Sequence, residues 1–257
     1  MKSSIIFCLL LVLSCVQSEQ EQVAGERIIS LSPSITATLT DIGALDSVVG
    51  RSAFCEVGDT EIPVVGDLYE IDYERLLVLR PTKVFVQKTT ASVDAHLQQL
   101  AQEEYFTLYT WELDRIDDIK LLHDDLLTIL ELQGDPLQLT LDETEAVLPS
   151  PILIMTPGSA RGAGLCFGKK TYLDDLLTMM GGTNAIQDDG WISLSLEDIA
   201  TINPAAILLV SDSNFTVGGG IASLGIPVIP FIHEDVLIPS SKIVNVAREL
   251  HRKLAEK

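Results

Sequence analysis

The 257-residue chain carries 37 Asp and Glu against 17 Lys and Arg, a formal net charge of −20. Such an excess of carboxylates excludes a nucleic-acid binder working through phosphates and leaves a basic protein face, a cationic ligand or plain solubility as what the charge serves. Of the four cysteines only Cys55 and Cys166 lie beyond the first 15 residues, and neither CxxC nor HExxH occurs; a disulfide framework and a closed zinc site therefore have no support, and no metal site is predicted.

The opening, MKSSIIFCLLLVLSC, has one early lysine, an apolar run from Ile5 to Leu13 and a small residue before Cys15. The run falls short of the about 20 residues that a membrane-spanning helix needs, and its layout is that of a secretory signal. VLSC resembles a bacterial lipobox, which would make Cys15 a lipidated N-terminus with the polar QSEQEQ as its tether; ordinary cleavage near Ser18 is the alternative. Residues 1–25 are read as signal and tether, which predicts an exported protein, periplasmic or at the cell surface and held to the membrane by lipid alone.

From residue 26 onward, strand-like and helix-like segments alternate. RIISLS reads as a strand, PSITATLTDIGA as a helix opened by Pro33 and stopped by Gly43, and SVVG as a short strand. A long polar loop, RSAFCEVGDTEIPVVGDLYEID, leads to a short helix over Tyr73–Leu79, capped by Asp72 and ended at Arg80-Pro81. KVFVQ, SVDAHLQQLAQEE and YFTLYTW then read as strand, helix and strand. Residues 113–149 form a helical connection: Ile116, Ile119, Leu122, Leu126, Ile129 and Leu130 recur at helical spacing before a break at Gly134-Asp135-Pro136, and LQLTLDETEAVL leaves room for a second helix. Past Pro149, PILIMT is a strand, GSARGAGLCFG a glycine-rich loop, KKTYLDDLLTMMGG a helix, and SLEDIATINP with AAILLVS a helix and a strand. This order predicts an α/β fold with mainly parallel sheets.

One phrase occurs twice. ERLLVLRPTKVFVQ (74–87) and EDIATINPAAILLV (197–210) both start with glutamate, reach proline seven residues later and run into an apolar strand. QQLAQEEYFTLYTW and GGIASLGIPVIPFI occupy corresponding places after the two copies. The chain is therefore read as two similar α/β lobes, 26–112 and 150–257, joined by the helical connection.

At this level the sequence resembles the class III substrate-binding proteins of bacterial ABC importers for vitamin B12, iron–siderophores and haem. RIISLSPSITATLTDIGALDSVVGRSAFC is similar to that family's opening block, IPVVGDLYEIDYERLLVLRPTKVFVQ to its second, and SLEDIATINPAAILLV to the equivalent block of lobe two. The resemblance implies two Rossmann-like lobes with cargo held between them, no intrinsic cofactor, no enzymatic activity, and delivery by a monomer to a permease dimer. It also implies that Glu74 and Glu197 dock against arginines of the two permease halves. Each lies near the start of a short helix, where a carboxylate stays ionised, and paired charges on separate lobes can register one protein across a two-fold partner. GRSAFCEVG looks closer to cobalamin-type members, so the implied cargo is a corrinoid, with an iron chelate as the alternative; against this, Leu68 and Gln87 stand where corrinoid binders tend to carry tryptophans. The helical connection is also shorter than the family's long backbone helix.

Ligands of open α/β sheets bind beyond the carboxyl ends of the strands. That rule selects Ser32, Arg51, Phe54, Cys55, Tyr69 and Gln87 in lobe one, and Arg161, Cys166, Phe167, Trp191 and His233 in lobe two. Phe54 and Trp191 suit stacking on a macrocycle, with minor core packing as the other reading; Arg51 and Arg161 suit a ligand carboxylate or phosphate, or pairing with local carboxylates. His233 reads as an ordinary loop histidine, with a further contact to a cargo metal as the other reading. The two cysteines are open between apolar packing, a cross-lobe disulfide and contact with a cargo metal, the last preferred to the disulfide because a wide cleft holds them apart. GLCFGKKT is not a phosphate loop: Gly164 and Gly168 are one residue too close. An enzyme on two such lobes is the competing class, but neither GxGxxG after the first strand nor GxSxG is present.

Overall fold

Ser32 sets the first turn of the chain's architecture. Its hydroxyl accepts the Ile35 N–H at 3.4 Å and Pro33 occupies the first helical position, so strand β1 (Ile28–Ser30) turns at once into helix α1 (Pro33–Asp41). A computed structural model describes residues 25–58, 61–67, 70–87, 93–141, 148–158 and 164–255. Cys15 with the signal and tether, Leu68, Tyr69 and Arg161 lie outside the described residues.

Lobe one continues with β2 (Val48–Ser52), β3 (Val64–Gly66), α2 (Tyr73–Val78), β4 (Lys83–Gln87), α3 (Ala95–Gln102) and β5 (Thr107–Trp111). Its five strands run in the order β3-β2-β1-β4-β5, all parallel. Helix α4 (Ile116–Ile129) then leads to lobe two: β6 (Ile152–Met155), β7 (Leu165–Phe167), α5 (Tyr172–Met179), β8 (Trp191–Ser193), α6 (Leu196–Ile202), β9 (Ala206–Ser211), α7 (Gly219–Ser223), β10 (Val228–Ile232) and α8 (Ile243–Ala255). Its order, β10-β9-β6-β7-β8, repeats that of lobe one, with β6 in the place of β1 and β9 in the place of β4. The fold is α/β, two mainly parallel sheets with helices, as the alternation predicted.

The repeated phrase is one structural unit built twice. Glu74 and Glu197 are each the second residue of a short helix, α2 and α6, and each precedes the first residue of its strand, Lys83 or Ala206, by nine positions. Asp72 caps α2 by accepting from the Arg75 N–H at 2.9 Å, as expected; Ser195 caps α6 in a reciprocal box with Asp198. Both phrases then bend through a left-handed residue directly before the proline, Arg80 and Asn203, each with φ 45°.

Three expectations need correction. The polar loop after β2 contains an edge strand, β3, and the glycine-rich loop of lobe two contains β7. Strand β7 runs antiparallel to β6, and β8 antiparallel to β7. Lobe one places a helix between its first two strands and so makes a parallel crossover; β6 and β7 are joined by a direct return, which only antiparallel neighbours permit. Gly164 makes that return possible, since a Cβ there would sit 1.9 Å from the Thr156 carbonyl oxygen. The proposed second helix of the connection is absent from its described part: Leu137–Leu141 is an irregular strap whose Leu139 is buried, with Leu137 and Leu141 packed on the same lobe-two core. Residues 142–147 of that segment lie outside the described residues.

Helix α4 belongs to both cores. Ile116 and Ile119 pack into the lobe-two core with Ile154, Tyr172 and Leu176, whereas Leu122 and Leu126 pack into the lobe-one core with Ile28, Leu39 and Phe85. Among the described residues, no helix is long and apolar enough to cross a membrane.

Candidate ligand cleft

The carboxyl ends of β1, β2 and β4 gather four of the lobe-one candidates, but they serve different ends. Ser32 is fully buried and donates its hydroxyl to Gln87 Oε1 at 2.8 Å, so its capping oxygen is tied down and the carbonyl end of the Gln87 amide is engaged with it. Arg51 is half-buried and turns back on its own loop. Its Nε donates to the Ile62 carbonyl at 3.1 Å, and its Nη1 to the carbonyls of Ser52 and Cys55, each at 3.1 Å. The guanidinium thus braces the β2–β3 connection rather than standing ready to fork onto a ligand. Phe54, beside it, is 67% exposed, with its main-chain N–H held by Ser52 Oγ at 3.2 Å. A flat apolar ring presented to solvent from a pinned turn is what a macrocycle face would stack on.

Cys55 and Cys166 are both buried, and neither is in a disulfide. Cys55 Sγ lies 3.0 Å from Thr36 Oγ1, within a small polar knot in which Thr36 Oγ1 also donates to Ser30 Oγ at 2.8 Å. Cys166 packs with Leu153, Met155, Ile186 and Ile199 in an apolar cluster. Burial raises both thiols, Cys166 to about 11, so neither offers a thiolate near neutral pH. This burial favours the packing reading of both cysteines over contact with a cargo metal. Native protein treated with iodoacetamide at pH 8 should therefore stay unmodified at both positions and react only after denaturation, as read by mass spectrometry; rapid modification of either thiol in the folded state would contradict the assigned burial.

The reversal of β7 moves two lobe-two candidates. Phe167 pairs with Trp191 at the far end of the β7–β8 ladder, whereas Leu165 pairs with Ser193 and its carbonyl accepts the Thr156 N–H at 2.8 Å, level with the end of β6. Phe167 is buried on Tyr172 and in edge contact with Trp191, ring centroids 6.4 Å apart. Trp191 is 40% exposed, yet it begins β8, so it sits two residues, or about 7 Å, below that strand's carboxyl end. The strand ends of lobe two instead present Leu165, which is 42% exposed, together with Thr156 and Asp212. Sequence reading passed over Leu165 because it assigned a loop to the stretch that folds as the antiparallel strand.

His233 follows β10 as predicted, but its ring is committed to the turn. Nδ1 accepts the Asp235 N–H at 3.1 Å, and the ring stacks on Phe231. Among the described residues, no group of three or more His, Cys, Asp or Glu side chains could hold a metal ion. Glu74 and Glu197 are exposed, and neither side chain has a hydrogen-bond or ion-pair partner among the described residues.

No protein-family model matches the sequence, and no curated protein matches it. Solved structures do. The periplasmic haem-binding protein BhuT, in complex with two haems, superposes with a TM-score of 0.68 at 17% identity over 90% of this chain and 98% of its own. The periplasmic vitamin B12 binding protein BtuF of Vibrio cholerae gives 0.68 at 16% identity over 90% and 98%, and the periplasmic haem binding protein HutB of the same organism 0.68 at 19% identity over 89% and 98%. The chain has the fold of these two-lobed periplasmic binding proteins. At such identities the likeness is one of architecture, and residue roles must come from this chain's own geometry.

Proposed function

We propose that this protein is the extracytoplasmic substrate-binding component of an ABC importer. It holds a small-molecule metal chelate between its lobes, cobalamin or a related corrinoid first, with haem or a ferric siderophore as the alternative cargo, and hands it to a two-fold permease. The observation that carries this reading is the matched pair of exposed carboxylates: Glu74 and Glu197 stand at the same helical position in the same unit of each lobe. A local capping role does not account for them, because Asp72 and Ser195 already cap those helices. The shared fold with haem-binding and vitamin B12 binding proteins supports the cargo class.

In this reading Phe54 is the cargo-stacking ring, Tyr69 and Arg161 are further cargo contacts, and Cys15 carries the lipid that tethers the chain. The protein works as a monomer without an intrinsic cofactor or catalytic activity. Absorption spectra of the purified protein titrated with cyanocobalamin, haemin and a ferric hydroxamate should show saturable band shifts for one of them. Phe54→Ala should weaken that binding by about 0.5–1.5 kcal/mol, the worth of an aromatic contact. Binding of none of the three, or turnover of esters or nucleotides, would reject the proposal in favour of the enzyme class.

A further inference from the structure

We propose that the Arg115–Asp175 pair is the lock that fixes lobe two on the bridging helix and so sets how far apart the two lobes stand. Arg115 immediately precedes α4, the helix shared by both cores, and Asp175 lies on α5 of lobe two. One carboxylate there collects three donors from the start of α4. Arg115 Nε reaches Asp175 Oδ2 at 2.8 Å, Nη2 pairs with Oδ1, and the Ile116 main-chain N–H donates to Oδ2 at 3.0 Å. A forked guanidinium fixes rotation as well as distance, which a single contact cannot do.

The remaining contacts between lobes are of another kind. Ile116 and Ile119 are apolar, and dispersion contacts set no direction. A second polar contact, the Ser241 N–H to Thr38 Oγ1 at 3.3 Å, joins the loop before α8 to α1 but is one neutral bond. Among the described residues, Arg115–Asp175 is the only ion pair between α4 and lobe two. It is also only partly shielded, with 43% of the Arg115 side chain and 16% of the Asp175 side chain exposed. Lobes joined by a single helix move relative to each other unless something directional holds them.

The test measures the distance between spin labels carried on keto amino acids at the exposed positions Val78 and Thr201, by double electron–electron resonance on the full mature protein. Wild type should give one narrow distribution. Arg115→Ala and Asp175→Asn should broaden it roughly twofold, as expected when a directional interlobe constraint is lost, while far-UV circular dichroism stays that of wild type. Arg115→Lys keeps the charge and loses the fork, so it should broaden the distribution as well; this variant decides the matter if Arg115→Ala does not fold. A wild-type distribution in Arg115→Lys, or an unchanged width in Arg115→Ala and Asp175→Asn, would overturn the lock.

Discussion

Alanine at Glu74 or at Glu197 should lower cargo uptake by whole cells roughly tenfold, the equivalent of about 1.4 kcal/mol of docking free energy per site. The double variant should multiply the two losses, because the residues sit on separate lobes with no shared partner. Cargo affinity of the purified variants should not change. Both carboxylates face solvent in the first turn of α2 and α6, outside the strand-end loops that form the candidate cleft. Raising ionic strength should weaken uptake by the wild type and have less effect on the double variant, since exposed charges are screened. If cargo binding fell in step with uptake, the two glutamates would belong to the cleft and the docking assignment would be wrong.

The bridging helix is where the largest effect on stability is expected. Ile119 is fully buried and reaches the lobe-two core from a helix whose next turn, at Leu122, is buried in lobe one. Ile119→Ala removes its branched chain at a point where two cores are fastened to one rod, so neither can collapse freely around the gap. The expected loss is about 2–5 kcal/mol, read as a lowered midpoint of urea unfolding with the slope retained. Lys120→Ala, one residue on, removes a half-buried side chain paired only with the exposed Asp117; it is the control and should stay within about 0.5 kcal/mol of wild type. Near-identical midpoints for Ile119→Ala and Lys120→Ala would mean that α4 is not shared between the cores.

Which features could be read from residues alone follows from how local their causes are. The helix starts at Ser32-Pro33 and Asp72, and the repeated path from glutamate through a left-handed residue and proline into a strand, depend on neighbours within a few positions. Each signal is therefore carried whole in a short stretch of chain. The pairing of Glu74 with Glu197 was legible for the same reason: equal spacing in two copies places them alike in each lobe before any packing is known.

The direction of β7 was not legible, because it is decided by what the return from β6 pairs with. LCF is apolar throughout and carries no sign of strand direction; only its register against Met155 and Ser193, and the close approach that Gly164 allows to Thr156, make it antiparallel. That choice carried Phe167 and Trp191 away from the strand ends and brought Leu165 to them. Arg51 and the cysteines follow the same rule. A guanidinium goes to whichever acceptors lie within reach, and for Arg51 these are the carbonyls of its own loop. A thiol's acidity depends on the surroundings that packing provides, and here packing buried both. The sequence by itself determined the α/β alternation, the duplicated lobes and the matched glutamates, since these rest on local periodicity and capping; tertiary structure alone decided strand direction, burial and the Arg115–Asp175 contact, since each joins residues that are distant along the chain.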